Sequence, residues 1–212
     1  MSSATITTSA RLMNSTPQTE EQAMVRKVAV SSFLGNFIEW FDYASYSYFA
    51  TTIALVFFPT DNHTVAMLQT FGVFALSFIL RPIGALFWGS YGDKKGRKAA
   101  LAHSIMFMSG ASFLIGCLPS YSVIGVGAPI LLLLLRMVQG FSASGEYAGA
   151  ATFLGEYAPT SKRGIYCSLI PASTAIGLLA GSTLATLMTA NMNSSAMVGW
   201  GWRVPFLLAV PL

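Results

Sequence analysis

Charged side chains are scarce in this sequence: Asp, Glu, Lys and Arg make up 9% of its 212 residues, while 54% are hydrophobic. A soluble globular domain carries about a quarter charged residues, so water is not the main solvent of this chain. Cysteine is nearly absent as well. Cys117 and Cys167 fall near opposite ends of apolar stretches on opposite sides of a membrane, too far apart for a disulfide, whose Cα atoms must approach within about 7 Å. Neither cysteine stands in a metal-ligand spacing. The sequence has no G-x-x-x-x-G-K-[ST] run and therefore no phosphate-binding loop, and it has no grouped nucleophile, base and orienting residue. These absences argue against an enzyme, a cofactor, a bound metal and ATP-driven work. The formal net charge of +4 carries no argument for nucleic acid, because its distribution follows membrane topology.

What is present is a series of long apolar runs. A spanning helix needs roughly 20 mostly apolar residues at about 1.5 Å rise each. Spans are expected near 28–58, 65–91, 99–118, 128–153 and 164–190, with a sixth from 202 to 212. About ten residues cover roughly 15 Å of a hydrocarbon layer near 30 Å thick, so the sixth reads as incomplete and the sequence as truncated within it. Residues 1–27 are polar, rich in Ser and Thr, and lack an apolar h-region, so they read as a disordered cytosolic tail rather than a cleaved signal peptide. The fold class expected is an all-α membrane bundle over 28–212.

Basic residues set the orientation, since short cytoplasmic loops accumulate Lys and Arg. Arg11, Arg26 and Lys27, then Lys94, Lys95, Arg97 and Lys98, then Lys162 and Arg163 lie on one side, while loops 59–64, 119–127 and 191–201 hold none. The N-terminus is therefore expected in the cytoplasm of a cell whose inner membrane the chain crosses several times. Only Arg81, Arg136 and Arg203 among the basic residues fall within spans or at their edges.

An ionisable side chain at mid-bilayer costs at least about 2.5–3.5 kcal/mol on insertion scales, which makes each one a functional candidate. The candidates are Glu39 and Asp42 in the first span, Arg81 in the second, and Arg136 and Glu146 in the fourth. Counting from span midpoints, Asp42 lies near the midplane with Arg136 roughly 6 Å to the outside, and Glu39 and Arg81 both lie roughly 6 Å to the cytoplasmic side. Depth thus suggests the pairs Asp42 with Arg136 and Glu39 with Arg81. A carboxylate beside Arg stays ionised and one left alone in low dielectric takes up a proton, so making and breaking such a pair can couple a proton to conformation. The alternative is that the ions only lock helices together. Gln139, Gly140, Ala143 and Tyr147 recur with Arg136 at helical spacing, and Asn36, Glu39, Tyr43, Tyr46 and Ser47 make a polar side on the first span; both faces suit a cavity. Gly177 and Gly181 form a GxxxG pattern suited to close helix packing, and His103 reads as a packed or interfacial histidine.

The segment Gly89-Ser-Tyr-Gly-Asp93-Lys-Lys-Gly96-Arg97-Lys98 is a short, glycine-punctuated, charged turn between the second and third spans. By itself it is a solvated loop. It resembles the signature loop of the major facilitator superfamily, G-x-x-x-D-[RK]-x-G-R-[KR], in the place where that family has it. Arg136-Met-Val-Gln139-Gly140 resembles the family's fourth-span motif. Gly35-Asn36-Phe-Ile-Glu39-Trp40-Phe-Asp42, Arg81-Pro82-Ile-Gly84, Gly145-Glu146-Tyr147, Glu156-Tyr-Ala-Pro159 and Gly201-Trp202-Arg203-Val-Pro205-Phe206 are similar to the metabolite:proton symporter subfamily, whose members carry proline and betaine, citrate, shikimate, 2-oxoglutarate and other carboxylates.

That resemblance implies two six-helix bundles rocking about a central site, with this chain as the N-terminal bundle and the second bundle missing from it. It implies no cofactor. The function expected is proton-coupled symport of a small organic acid or zwitterionic metabolite. Asp42, Arg136 and Glu39 would couple the proton. Asn36, Tyr43, Tyr46, Arg81, Gln139 and Glu146 would line the substrate cavity, and Gly89, Asp93, Gly96 and Arg97 would form a cytoplasmic gate. The rival reading is a non-transporting remnant or helix-bundle interaction protein.

Overall fold

The structure, a computed structural model, describes residues 16–208, without the side chains of 16–22, 146–148, 152, 153 and 157. In chain order its helices are α1 (Thr16–Tyr48), α2 (Ala50–Phe57), α3 (His63–Ile79), α4 (Arg81–Lys95), α5 (Arg97–Cys117), α6 (Tyr121–Ile124), α7 (Gly127–Ala143), α8 (Glu146–Tyr157), α9 (Arg163–Asn191), α10 (Ser194–Gly199) and α11 (Val204–Leu207), with a 3₁₀ turn over Gly201–Arg203. No strand occurs among the described residues.

Several expected spans are two helices joined at a break with a local cause. Leu80 separates α3 from α4, where Pro82 at the start of α4 has no N–H to give. The backbone bond from Gly84 N to Leu80 O, 2.8 Å, resumes the ladder. Ser144 and Gly145 divide α7 from α8. Between α1 and α2 the ladder runs on through Phe49 at 2.8–2.9 Å. Three helical stretches, His63–Lys95, Arg97–Cys117 and Arg163–Asn191, are long and apolar enough to cross a membrane. The first span carries Asn36, Glu39 and Asp42, and the fourth is divided, so neither presents one uninterrupted apolar run.

Two turns show their chemistry directly. Asn62 caps α3, its Oδ1 accepting from the backbone N–H of Thr64 and Val65 at 3.0 and 3.3 Å. Gly96 turns the chain from α4 into α5 at φ +94°, a conformation that favours glycine.

Helix α1 begins at Thr16, within the stretch 1–27 expected as a tail; residues 1–15 of that stretch lie outside the described residues. The reason is packing. Val25, Val28 and Ala29 are buried against Leu101, Leu154, Ala158 and Ile170, which carries the helix past the start of the apolar run.

Glycine sets how closely the long helices approach. A Cβ on Gly177 would stand 2.7 Å from the Phe37 carbonyl oxygen, and one on Gly181 2.7 Å from the Ala44 Cβ, so α9 lies directly on α1. Likewise a Cβ on Gly140 of α7 would collide with the Ser77 carbonyl of α3, and one on Gly84 with the Phe141 carbonyl. A small apolar cluster of Ile38, Met108 and Ala143 and two large ones result. One gathers Val25, Val28, Leu154 and Ile170 near the basic turns, and the other gathers Phe57, Ile115, Leu132, Trp202 and Phe206 towards the opposite end. Glu39 and Asp42 of α1, Arg81 of α4 and Arg136 of α7 occupy the layer between.

Candidate functional site

Asp42 and Arg136 meet in that layer. Arg136 Nη1 donates to Asp42 Oδ2, and the two side chains are 1% and 2% exposed, so no solvent screens the pair. The other carboxylate oxygen, Oδ1, receives the Gln139 amide at 3.1 Å and the Ser112 hydroxyl at 3.3 Å. Gln139 Nε2 also donates to Ser112 Oγ at 2.6 Å. Helix α1 thus supplies the carboxylate, α5 the hydroxyl, and α7 both the guanidinium and the amide.

The Arg136 guanidinium is under-used. Its Nε and Nη2 are buried without a hydrogen-bond partner, and its carbon lies 3.9 Å from the Tyr46 ring centroid and 5.5 Å from that of Phe206. A single carboxylate and aromatic faces hold this cation. Removing one partner of such a pair leaves an uncompensated charge, at about 3–5 kcal/mol, whereas changes that neutralise or compensate both charges cost far less.

The second pair is also made. Arg81 Nη2 donates to Glu39 Oε1 and reaches the Tyr43 hydroxyl, with the Arg81 side chain 29% and Glu39 3% exposed. The guanidinium carbon lies 4.6 Å from the Phe78 ring centroid and 5.3 Å from that of Tyr43. Unlike the first pair, this one opens to the surface of the bundle.

The remaining residues singled out in the sequence sit as follows. Asn36 is buried, and its Nδ2 donates to the Ile170 carbonyl, Ser173 Oγ and Thr174 Oγ1 at 2.8–3.0 Å, fastening α1 to α9. The Tyr46 hydroxyl donates to the Thr70 carbonyl at 2.8 Å, so it fastens α1 to α3 while its ring underlies Arg136. The side chain of Glu146 lies outside the described residues. Gly89, Asp93 and Arg97 border a cleft of about 220 Å³ together with Trp88, Ser144 and Gly145. Arg97 reaches Glu156 at 3.7 Å, an exposed pair. Gly96 supplies the turn beside them. His103 is exposed, with its Nδ1 2.6 Å from the Ala99 carbonyl. Cys117 and Cys167 are both free. No grouping of His, Cys, Asp or Glu able to hold a metal ion occurs among the described residues.

Ser112 is the residue that sequence reasoning missed. A serine in an apolar helix carries no signal of its own, because it can satisfy its hydroxyl on the backbone three or four residues earlier, as Ser104 does on the Leu101 carbonyl. The available clue was its depth, two spans along from Asp42 at similar height.

Comparison with known proteins gives one family and one fold. The sugar (and other) transporter family matches residues 27–212. The chain is 42% identical over 192 residues to the proline/betaine transporter of Salmonella typhimurium, covering 91% of this chain and 38% of that protein. It is equally similar, with the same coverage, to the glycine betaine/proline/ectoine/pipecolic acid transporter of Dickeya dadantii. It is 42% identical to the putative proline/betaine transporter of Staphylococcus aureus, over 87% of this chain and 40% of that protein. The chain therefore spans about two-fifths of the length of these relatives. Among solved structures, the major facilitator superfamily proton:xylose symporter XylE bound to 6-bromo-6-deoxy-D-glucose matches with a TM-score of 0.73 at 17% identity, over 90% of this chain and 43% of that one. The inward-open xylose transporter XylE of E. coli matches at 0.72 and 19% identity, over 87% and 44%.

Proposed function

This chain belongs to the sugar (and other) transporter family and has the fold of the first half of a major facilitator superfamily transporter, and from that premise we propose that it forms the proton-coupling half of a metabolite symporter. The proposed activity is uptake of a small zwitterionic or organic-acid metabolite with protons across the inner membrane, by alternating access, with a second six-helix bundle completing the substrate path. The N-terminus faces the cytoplasm in this reading, as the basic turns at Arg26 and Lys27, Lys94–Lys98, and Lys162 and Arg163 support.

The observation that carries the proposal is the buried pair of Asp42 and Arg136. Asp42 would accept the proton and Arg136 would be its counter-charge. Protonating Asp42 leaves Arg136 with uncompensated charge and three free N–H directions, since Nε and Nη2 already lack partners. A carboxylate on the incoming metabolite meets that need, as a bidentate guanidinium contact. Proton and substrate carboxylate would then arrive together or not at all, which is symport. Arg81, 29% exposed beside the buried Glu39, would give the substrate its first charged contact, and the cleft at Gly89, Asp93 and Arg97 would act in the cytoplasmic gate.

Uptake of radiolabelled proline, betaine, citrate, shikimate and 2-oxoglutarate by cells expressing the gene tests this. At least one should accumulate, accumulation should collapse with an uncoupler, and Asp42→Asn should abolish concentrative uptake. Uptake indifferent to both the uncoupler and Asp42→Asn would remove the proposal.

A further inference from the structure

A proton that lands on Asp42 needs somewhere to point. Oδ2 faces Arg136 Nη1, and a guanidinium has donors only, so the proton must reside on Oδ1. That oxygen faces two groups, Ser112 and Gln139, and both now donate to it. In the present arrangement Oδ1–H would meet hydrogens on both sides.

One further observation resolves this. Gln139 is 2% exposed, and its carbonyl oxygen Oε1 is buried without any hydrogen-bond partner. An orphaned buried acceptor costs about 1–3 kcal/mol, and here it is carried by the side chain whose other end contacts Asp42. The two ends of an amide have nearly the same size and shape, so turning the amide over takes no extra room.

We infer that Gln139 is an amide switch that reports the protonation of Asp42 through Ser112. With Asp42 ionised the hydrogen bonds run from Gln139 N–H to Ser112 and from both to the carboxylate, as observed at 2.6, 3.3 and 3.1 Å. When a proton binds to Oδ1 the chain reverses. Asp42 O–H donates to Ser112 Oγ and Ser112 O–H donates to Gln139 Oε1, so the carbonyl gains a donor while the amide N–H2 turns away from Asp42 into the place the carbonyl held. One O–H bond forms on Asp42, and otherwise only hydrogen bonds exchange. Gln139 and Ser112 are positioning residues in this account, since they let Asp42 hold a proton while Arg136 is released. The inference rests on the reading of Asp42 as the proton carrier.

Other ionisable groups do not supply the same reversal. Arg136 comes from α7, Tyr46 and Glu39 from α1 itself, and Arg81 with Tyr43 lies beyond Glu39; α5 brings Ser112 to Asp42, while its titratable residues Arg97, Lys98, His103 and Cys117 lie elsewhere along that helix. Tyr46 is already committed to the Thr70 carbonyl.

Infrared difference spectroscopy on this chain in lipid nanodiscs, with side-chain-labelled glutamine, reads the switch directly. The protonated carboxyl band of Asp42 is assigned by its loss in Asp42→Asn, and the Gln139 carbonyl band by its loss in Gln139→Met. As pH falls and the Asp42 band grows, the Gln139 carbonyl should shift from a free to a lower, hydrogen-bonded frequency with the same midpoint, and Ser112→Ala should weaken the shift. An Asp42 that titrates while the Gln139 band stays put overturns the switch and leaves the proton carrier standing. An Asp42 that shows no protonated band at any pH overturns both.

Discussion

At the scale of single residues, the two ion pairs inside the bundle lie in one layer and are held differently. Arg136 has one ionic partner, aromatic rings beside it and two nitrogens without a hydrogen-bond partner, so its stability is tied to Asp42. Arg136→Met should destabilise the chain by about 3–5 kcal/mol through the stranded carboxylate. Pairing it with Asp42→Asn should recover most of that loss, because removing both charges leaves nothing uncompensated. Resistance to unfolding in a denaturing-detergent titration measures both; a double variant as weak as Arg136→Met would show that shape rather than charge is decisive. Asn36 makes a second prediction at this scale. Its amide fastens α1 to α9 through three acceptors, so Asn36→Leu should cost about 1–3 kcal/mol in the same titration.

The two ion pairs were legible in the sequence from depth alone, since only a few ionisable residues interrupt the apolar runs and each run fixes height at about 1.5 Å per residue. Which way a side chain faces was not legible. Asn36 and Tyr46 read as parts of a polar cavity face, yet their polar groups are directed to α9 and to the backbone of α3. Ser112 was invisible for the opposite reason, as its hydroxyl has an ordinary local role available and takes a distant one.

At the scale of elements, close approach of helices depends on glycine at the crossing points, and the GxxxG pattern of Gly177 and Gly181 announced one such crossing. Gly140 marks another that no pattern announced, because its partner is the Ser77 backbone of a different helix. A methyl group there meets a carbonyl that cannot rotate away. Gly140→Ala should therefore part α3 from α7 at a cost of about 1–3 kcal/mol, while Gly72→Ala, with nothing near its Cβ, should be neutral or slightly stabilising on a helix. Thermal challenge of both variants in detergent would decide it, and equal losses would contradict the packing argument. The start of α1 shows the limit of an apolar-run reading, since a helix ends where its packing ends and Val25 still has a partner surface.

At the scale of the whole molecule, all the basic turns fall at one end of the bundle, and the two cysteines offer a way to test the orientation that this implies. Cys117 is exposed at the end of α5 away from Lys94–Lys98, and Cys167 lies near the start of α9, close after Lys162 and Arg163. A membrane-impermeant thiol reagent should label Cys117 in intact cells, and Cys167 only after the cytoplasmic face is opened; the reverse order would invert the topology. The same axis separates the cleft at Gly89, Asp93 and Arg97 from the buried pair, and the proposed function ties a proton on Asp42 to which end of the bundle is open. The most direct test of that central claim is substrate-driven proton movement, followed with a pH-sensitive dye inside proteoliposomes carrying the expressed protein, on addition of proline, betaine, citrate, shikimate or 2-oxoglutarate. The account predicts acidification of the lumen with at least one transported compound, and its loss in Asp42→Asn; transport without proton movement, or proton movement unchanged in Asp42→Asn, would contradict it.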